Sequence, residues 1–389
     1  MEEYYDFLMS SCPGIGNHRA EKLYAMFGSS KGAVEASVTD LVDSGILKKE
    51  EGEIFYDHVR SGANYQAYCQ LKKDKIQLVS VHQKAYPTRL LTIPNRPYLL
   101  YIKGELPKEQ PYSVAVVGAR TCTQYGETMA FQIGRQLAMA GVNVISGLAK
   151  GIDGAAHRGA LSVEGGKTYA CLAGGVDLCF PREHIAMYEE MSERGGLISE
   201  YPPGMKPLAK HFPLRNRIIS GLSDVVVVVE ARERSGSLIT VDAALEQNRM
   251  VMAVPGRMCD KMSLGCNQLL KLGAGIVTRP RDILEMLTQE VFHEDGYGCY
   301  RMDEEKEEAL RCEEQSLKEQ EKVKDHSLLH SLSAQEQMIY KVLDCTPKSI
   351  NQITEESKMK IGMVIEALVS MEFKGFVKES ARGSFERLL

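Results

Sequence analysis

Five consecutive valines, Val225 to Val229, bounded by Asp224 and Glu230, constrain this chain more than any other stretch of it. An uninterrupted β-branched run has no polar face, so it suits a parallel strand covered on both sides by helices. The flanking sequence agrees. A helical segment, Leu214 to Ser220, precedes the run, with Arg215, Asn216 and Arg217 expected on its exposed face. After the run come a small turn, Ser235-Gly236-Ser237, a helix from Leu238 to about Asn248, and a strand, Met250 to Val254, ending in Pro255-Gly256. The loops of such a unit stand at strand C-termini, where open α/β sheets take their ligands. Two arginines flanking an asparagine there read either as a solvated helix face or as an anion site, since a guanidinium fork matches phosphate oxygens.

The same alternation continues upstream. Val114 to Val117 is a buried strand that runs into Gly118-Ala119-Arg120 and then a helix from about Gly126 to Ala140. That is the first βα unit of a Rossmann-like fold, where phosphate meets a helix N-terminus. The fingerprint G-x-G-x-x-G is absent. The Arg120 side chain would crowd the backbone approach that a pyrophosphate cofactor needs, whereas a fixed cation suits a bare phosphodiester. No nicotinamide or flavin cofactor is therefore expected.

The next strand, Val142 to Ser146, ends in Gly147-Leu148-Ala149-Lys150-Gly151-Ile152-Asp153. Asp153 is placed to cap the following helix, and His157 reads either as its acid–base partner or as a hydrogen-bonded core histidine. Thr168 to Leu172 ends at Ala173-Gly174-Gly175, followed by Phe180-Pro181-Arg182-Glu183-His184; Leu197 to Glu200 precedes Tyr201-Pro202-Pro203-Gly204. Ahead of all of these, Ile76 to Ser80 and Tyr98 to Ile102 read as two strands extending the sheet.

The two ends of the chain differ from this middle. In the N-terminal helical part, Cys12-Pro13-Gly14-Ile15-Gly16 forms a turn opening a helix. It is either a plain turn or a hairpin presenting N–H groups to a phosphate. The segment from about Glu290 to Ser333 is dense in charge and reads as a solvated helix or as disorder. Beyond it, helices over Gln335 to Leu343, Ser349 to Glu356 and Lys360 to Phe373, then a hairpin turning at Arg382-Gly383, give the order of a winged helix. The third helix offers almost no base-reading side chains, only Lys358 and Lys360 at its start, so duplex recognition and protein docking both stay open. The expected divisions are 1–65, 76–289, 290–333 and 334–389.

At 389 residues the chain exceeds one ordinary core. No apolar run approaches the ~20 residues of a membrane span. The acidic N-terminus has no signal-peptide core, and the ten cysteines are scattered without C-x-x-C spacing, which points to reduced thiols in the cytoplasm, no metal and no membrane partner. Net charge is −5, but Glu290 to Asp325 holds 13 acidic and 6 basic residues, which leaves +2 on the rest. A local basic groove is compatible with that balance.

Taken together these motifs resemble the DNA-processing protein A family (DprA, also called Smf). The resemblance rests on Val117-Gly118-Ala119-Arg120, Ser146 to Asp153, Phe212-Pro213 with Arg215-Asn216-Arg217-Ile218-Ile219-Ser220-Gly221-Leu222, Glu230-Ala231, Ser235-Gly236-Ser237 and Ala253-Val254-Pro255-Gly256, in order over about residues 76 to 290, with the segment from Tyr86-Pro87 to Gly104 fitting as well. It implies an extended Rossmann-like domain that binds single-stranded DNA, dimerises, and loads the RecA recombinase in natural transformation. An N-terminal sterile-alpha-motif-like or helix-hairpin-helix unit and a C-terminal winged helix are also implied. By motif match the phosphate-binding arginine falls on Arg120 and the basic signature helix on Arg215, Asn216 and Arg217. Arg182 and His184 stand where many members carry a lysine and an asparagine. The expected DNA-binding set is Gly118, Ala119, Arg120, Gly147, Lys150, Gly151, Arg182, His184, Phe212, Arg215, Asn216, Arg217, Ser235, Gly236 and Ser237, with Phe212 either a base-stacking face or a buried ring and no catalytic residue.

The competing class is a Rossmann-like nucleotide-processing enzyme, a phosphoribohydrolase of the lysine-decarboxylase-like type. Its P-G-G-x-G-T turn is only partly matched by Ser235 to Thr240, with Glu246 further along. Two structural alternatives are also open. Arg120 is either solvated or paired with Glu200 or Glu230. Leu264, Leu269, Leu270, Leu272, Ile276 and Val277 either close the core or form a homodimer contact.

Overall fold

The valine run lies inside a nine-stranded sheet in the computed structural model of the protein, which describes the backbone of residues 2–109, 112–294, 332–343, 348–381 and 383–387. The strands are β1 (Ile76–Ser80), β2 (Leu99–Gly104), β3 (Ser113–Val117), β4 (Asn143–Ser146), β5 (Thr168–Cys171), β6 (Gly196–Ser199), β7 (Val225–Val228), β8 (Met250–Ala253) and β9 (Gly275–Ile276). Their spatial order is β1-β2-β6-β5-β4-β3-β7-β8-β9. Pairing is parallel from β6 to β9 and antiparallel at β1–β2 and β2–β6. Val114 to Val117 on β3 pair in register with Val225 to Val228 on β7, and all four β7 valines are 0% exposed. Burial on both faces is what an all-valine strand requires.

This order locates the site. From β3 the chain winds outward through β4, β5 and β6, then returns to lay β7, β8 and β9 on the other side of β3. The loops leaving β3 and β7 therefore diverge to opposite faces and open a crevice between them, the topological switch point of a doubly wound sheet.

Six helices precede the sheet: α1 (Glu2–Ser11), α2 (Asn17–Phe27), α3 (Ser30–Glu35), α4 (Val38–Asp43), α5 (Lys49–Arg60) and α6 (Gly62–Lys73). Their apolar faces (Leu8, Met9, Leu23, Phe55) share one continuous core with Leu99 and Tyr101 of β2. Polar contacts fix the join. Tyr98 Oη donates to Asp6 at 3.0 Å, and Arg96 pairs with Glu21 at 2.8 Å. Asn17 Nδ2 donates to Glu200 Oε2 at 3.2 Å, while Asn17 Oδ1 accepts the Tyr98 N–H at 3.1 Å. The first residue of the helix opened by the Pro13-Gly14-Ile15-Gly16 turn is thus engaged with the sheet.

Six more helices flank the sheet: α7 (Thr88–Leu91), α8 (Gln124–Met139), α9 (Ile152–Leu161), α10 (Ile185–Arg194), α11 (His211–Gly221) and α12 (Leu238–Glu246). Helix α13 (Leu264–Lys271) and helix α14 (Arg281–Glu294) close the unit. The backbone of α14 runs into the charged stretch as far as Glu294; the choice between helix and disorder for 295–331 lies outside the described residues.

The chain divides into two compact units, Met1–Glu307 and Glu308–Leu389. In the second, α15 (Ala334–Val342), β10 (Lys348–Ser349), α16 (Ile350–Ser357), α17 (Ile361–Phe373), β11 (Val377–Ala381) and β12 (Ser384–Arg387) follow the element order read from the sequence, with the antiparallel sheet order β10-β12-β11. Ile339, Ile353, Val364, Leu368 and Met371 fill its core.

Glu336 sits at the third position of α15 and is buried. Its carboxylate accepts from the Ser333 N–H, Ser370 Oγ and Lys374 Nζ, each at 2.7 Å. Burial alone would raise its pKa; the Lys374, Ser370 and Ser333 contacts outweigh it and bring the group down to about 2. A carboxylate depressed in the folded state stabilises above its unfolded pKa and loses that contribution as pH falls toward the folded value. The second unit should therefore lose ~3 kcal/mol between pH ~4.5 and pH ~2. Glu336→Gln should flatten this dependence, as read by amide exchange in the full chain; an unaltered pH profile would contradict it.

Candidate nucleic-acid interface

The crevice is built from the strand ends upward. A Cβ at Gly118 would strike the Ile152 side chain and the Glu230 carbonyl, so only glycine lets the β3 loop pass beneath the start of α9. The Ala119 N–H donates to Glu230 O at 2.8 Å, and Ala119 O accepts the Ile152 N–H. The Glu230 carboxylate accepts from the Thr123 N–H at 2.8 Å and from Thr123 Oγ1, while Thr123 Oγ1 caps α8 by accepting the Gly126 N–H. The loop is thus pinned at both ends, and Arg120 projects from it, exposed, its guanidinium carbon 4.6 Å from the centroid of the Phe212 ring. Among the described residues neither Glu200 nor Glu230 pairs with Arg120, which settles that alternative in favour of a solvated arginine.

The expectation of an exposed basic helix is corrected. Arg215 is 3% exposed, and its Nη1 donates to the backbone carbonyls of Gly147 (2.8 Å) and Cys171. A Cβ on Gly147 would fall 2.6 to 2.7 Å from the guanidinium atoms, so the arginine occupies the space that glycine leaves. Burial pushes the Arg215 pKa down, opposed chiefly by the nearby Asp153 charge. Arg217 is also drawn inward and pairs with Glu200 at 2.6 Å, the two side chains 12% and 10% exposed. Of the three, Asn216 and the buried Arg215 line the crevice and Arg217 does not; Asn216 Nδ2 is directed to Gly236 O at 3.5 Å. The physical reason is register. His211, Arg215, Ile218, Ile219 and Leu222 recur at helical spacing and are all buried, so Arg215 lies on the core face of α11.

Asp153 is not the cap of α9, whose N-cap position is Gly151. It accepts the Gly147 N–H at 3.1 Å beneath the loop. Burial raises its carboxyl pKa, countered by the Arg215 charge and by the Ala149 and Gly147 N–H groups. His157 is fully buried, its Nδ1 2.6 Å from Thr168 Oγ1, with burial lowering its pKa to about 3. That is the hydrogen-bonded core histidine rather than an acid–base partner.

Lys150 is exposed and forms a 2.5 Å surface pair with Glu183. Gly151 adopts φ +73°, and a Cβ there would meet the Ala119 carbonyl. Arg182 is exposed. His184 departs from the expected loop contact: it is 9% exposed, with Nδ1 3.1 Å from the carbonyl of Leu148, a buried residue at φ +56°. The imidazole thus serves a backbone in the sparsely populated left-handed region. Ser235 and Ser237 bond to each other at 2.7 Å, and Gly236 faces open space ahead of α12.

Two arginines, Arg232 and Arg234, escape the sequence reading. Both stand exposed on the loop after β7 and line the crevice with Arg120, Phe212, Asn216 and the Ser235–Ser237 turn. Their signal was present in the string Arg232-Glu233-Arg234, between the valine run and the serine turn. Phe180, 52% exposed, lies 6.1 Å from Phe212 centroid to centroid and adds a second aromatic face beside it. The crevice encloses about 680 Å³. Among its described lining residues the one carboxylate is Asp153, buried and engaged. Such a site offers cations and ring faces to a ligand.

The comparisons with known proteins point the same way. Residues 77–288 match the model of the family described as DNA recombination-mediator protein A. The protein Smf of Escherichia coli is 44% identical over 220 residues, a match covering 56% of this chain and 59% of Smf. The DNA processing protein DprA of Bacillus subtilis is 36% identical over 251 residues, covering 64% of this chain and 82% of that protein. Among solved structures, DNA processing protein A of Streptococcus pneumoniae superposes with a TM-score of 0.62 at 34% identity, covering 73% of this chain and 98% of its own.

The contrast between buried and exposed arginines is measurable as stability. Arg215→Met removes the donor shared by two buried carbonyls and a charge that favours the ionised Asp153, so it should cost about 2–4 kcal/mol. Arg120→Ala should stay within about ±0.5 kcal/mol. Urea unfolding ranks the two, and the reverse order would contradict this placement.

Proposed function

This chain belongs to the DNA recombination-mediator protein A family, and from that premise we propose that it binds single-stranded DNA along the strand-end crevice and acts as a recombination mediator without catalysing a reaction. The observation that carries the reading is three exposed guanidiniums, Arg120, Arg232 and Arg234, gathered with the Phe212 ring around a crevice whose one described carboxylate is buried. Exposed arginines pair with backbone phosphates, and ring faces accept bases irrespective of identity. Gly118, Ala119, Gly147, Gly151 and the Ser235–Ser237 turn bring backbone close to the strand, and Lys150 and Arg182 extend the positive edge. Arg215 and Arg217 support the surface from beneath.

In the cell, this activity would protect incoming DNA and load the RecA recombinase during natural transformation, in the cytoplasm. The organisation that goes with it is a helical domain over 1–65, the DNA-binding domain over 76–289, a charged linker over 290–333 and a winged helix over 334–389. A homodimer would form through the sheet's last edge. There β9 is two residues long, and Leu272 and Ile276 are 76% and 57% exposed while Val277 is buried in the chain's own core. Covering a bare edge and its apolar side chains favours pairing. The enzymatic alternative is disfavoured because Glu246, exposed on α12, is not among the crevice-lining residues; purified protein should release no base from nucleoside monophosphates.

Each phosphate contact on a single strand contributes about −0.7 to the slope of log affinity against log salt. Arg120→Ala should flatten that slope for oligo-dT by about 0.7 and weaken binding at low salt, with Tm unchanged. Arg234→Ala should do the same. A slope unchanged in both variants, or equal affinity for duplex and single strand at one salt concentration, would overturn the reading.

A further inference from the structure

Helix α17 carries a face that its own unit leaves uncovered. Val364, Ala367, Leu368 and Met371 point into the core of the second unit. On the opposite side Ile361, Ile365, Val369 and Phe373, spaced four apart, are 51%, 43%, 44% and 91% exposed. Four large apolar residues in one stripe along an exposed helix mark a contact surface rather than chance exposure.

The charges decide what it contacts. Glu366 and Glu372, both exposed, flank the stripe on either side, and the base-reading side chains of a recognition helix are missing from it. The chain's own stretch Glu290 to Asp325 carries 13 acidic and 6 basic residues and is repelled by the same carboxylates. A second copy of α17 fits. The stripe is symmetric about the midpoint between Ile365 and Val369. Two such helices running antiparallel therefore set Ile361 against Phe373 of the other copy and Ile365 against Val369. The same arrangement brings Glu372 to the end where Lys358 and Lys360 stand exposed at the start of the opposing helix. Self-complementarity of this kind is what a two-fold contact requires.

We propose that α17 is a self-association surface through which two copies of the chain pair antiparallel. This does not rest on the DNA-binding reading. Combined with pairing at β9 it makes each chain bivalent, so that copies assemble beyond a dimer.

The test uses the full chain with p-benzoylphenylalanine in place of Phe373, prepared as a mixture of ¹⁴N- and ¹⁵N-labelled copies and irradiated. The expected product is a mixed-isotope cross-link to the peptide containing Ile361. A cross-link within one chain to residues 290–331, or no inter-chain product, overturns the proposal. In sedimentation velocity, Val369→Glu should raise the concentration needed for the largest assembly at least tenfold with Tm unchanged. Glu372→Lys should weaken assembly, and adding Lys360→Glu to it should restore assembly. Sedimentation unaffected by Val369→Glu, or no recovery in the double variant, would equally overturn it.

Discussion

One buried guanidinium holds the working end of this molecule together. The carboxyl ends of β4 and β5 leave the carbonyls of Gly147 and Cys171 beyond the ladder, and buried carbonyls must find donors. Arg215 supplies both from one Nη1 atom, in the space a Cβ on Gly147 would fill. Asp153 balances its charge and ties the Gly147 N–H from the other side. Remove the arginine and the loops after two strands lose a shared donor, while the Asp153 carboxylate keeps its N–H partner but loses the charge that favours its ionised form.

The surface above inherits its shape from that anchor. Phe212 lies three residues before Arg215 on α11, with the Arg215 guanidinium carbon 5.9 Å and that of Arg120 4.6 Å from its ring centroid. The ring thus lies near one buried cation and one solvated cation. Arg120 is rigid at its backbone, because Glu230 pins the loop through Ala119 and Thr123, yet its charge stays available to solvent. The division is between arginines buried to order the protein and arginines left exposed to solvent. The sheet's reversal between β3 and β7 brings the second kind to one crevice.

How far the sequence disclosed this can be judged residue by residue. The valine run, the glycine-ended strands and the place of Arg120 on the loop after β3 were legible because strand pattern and loop glycines answer to local sterics. The burial of Arg215, Arg217 and His184 was not, since residue type announces a charge and says nothing of the carbonyls and carboxylates that other strands bring to it. For Arg215 a signal did exist: its spacing from Ile218, Ile219 and Leu222 puts it on the inward face of α11. Arg232, Arg234 and Phe180 fell outside the motifs, and their place in or beside the crevice depends on a sheet order that no single segment encodes.

The central claim is that a single strand lies across the β3 and β7 loops, and photo-cross-linking tests it most directly. Oligo-dT carrying 5-iododeoxyuridine, bound to the full chain and irradiated, transfers to nearby aromatic rings. The account predicts attachment at Phe212 and Phe180, reduced in Arg120→Ala at moderate salt. Attachment confined to the Gly14–Asn17 turn or to the second unit, with neither phenylalanine labelled, would contradict it.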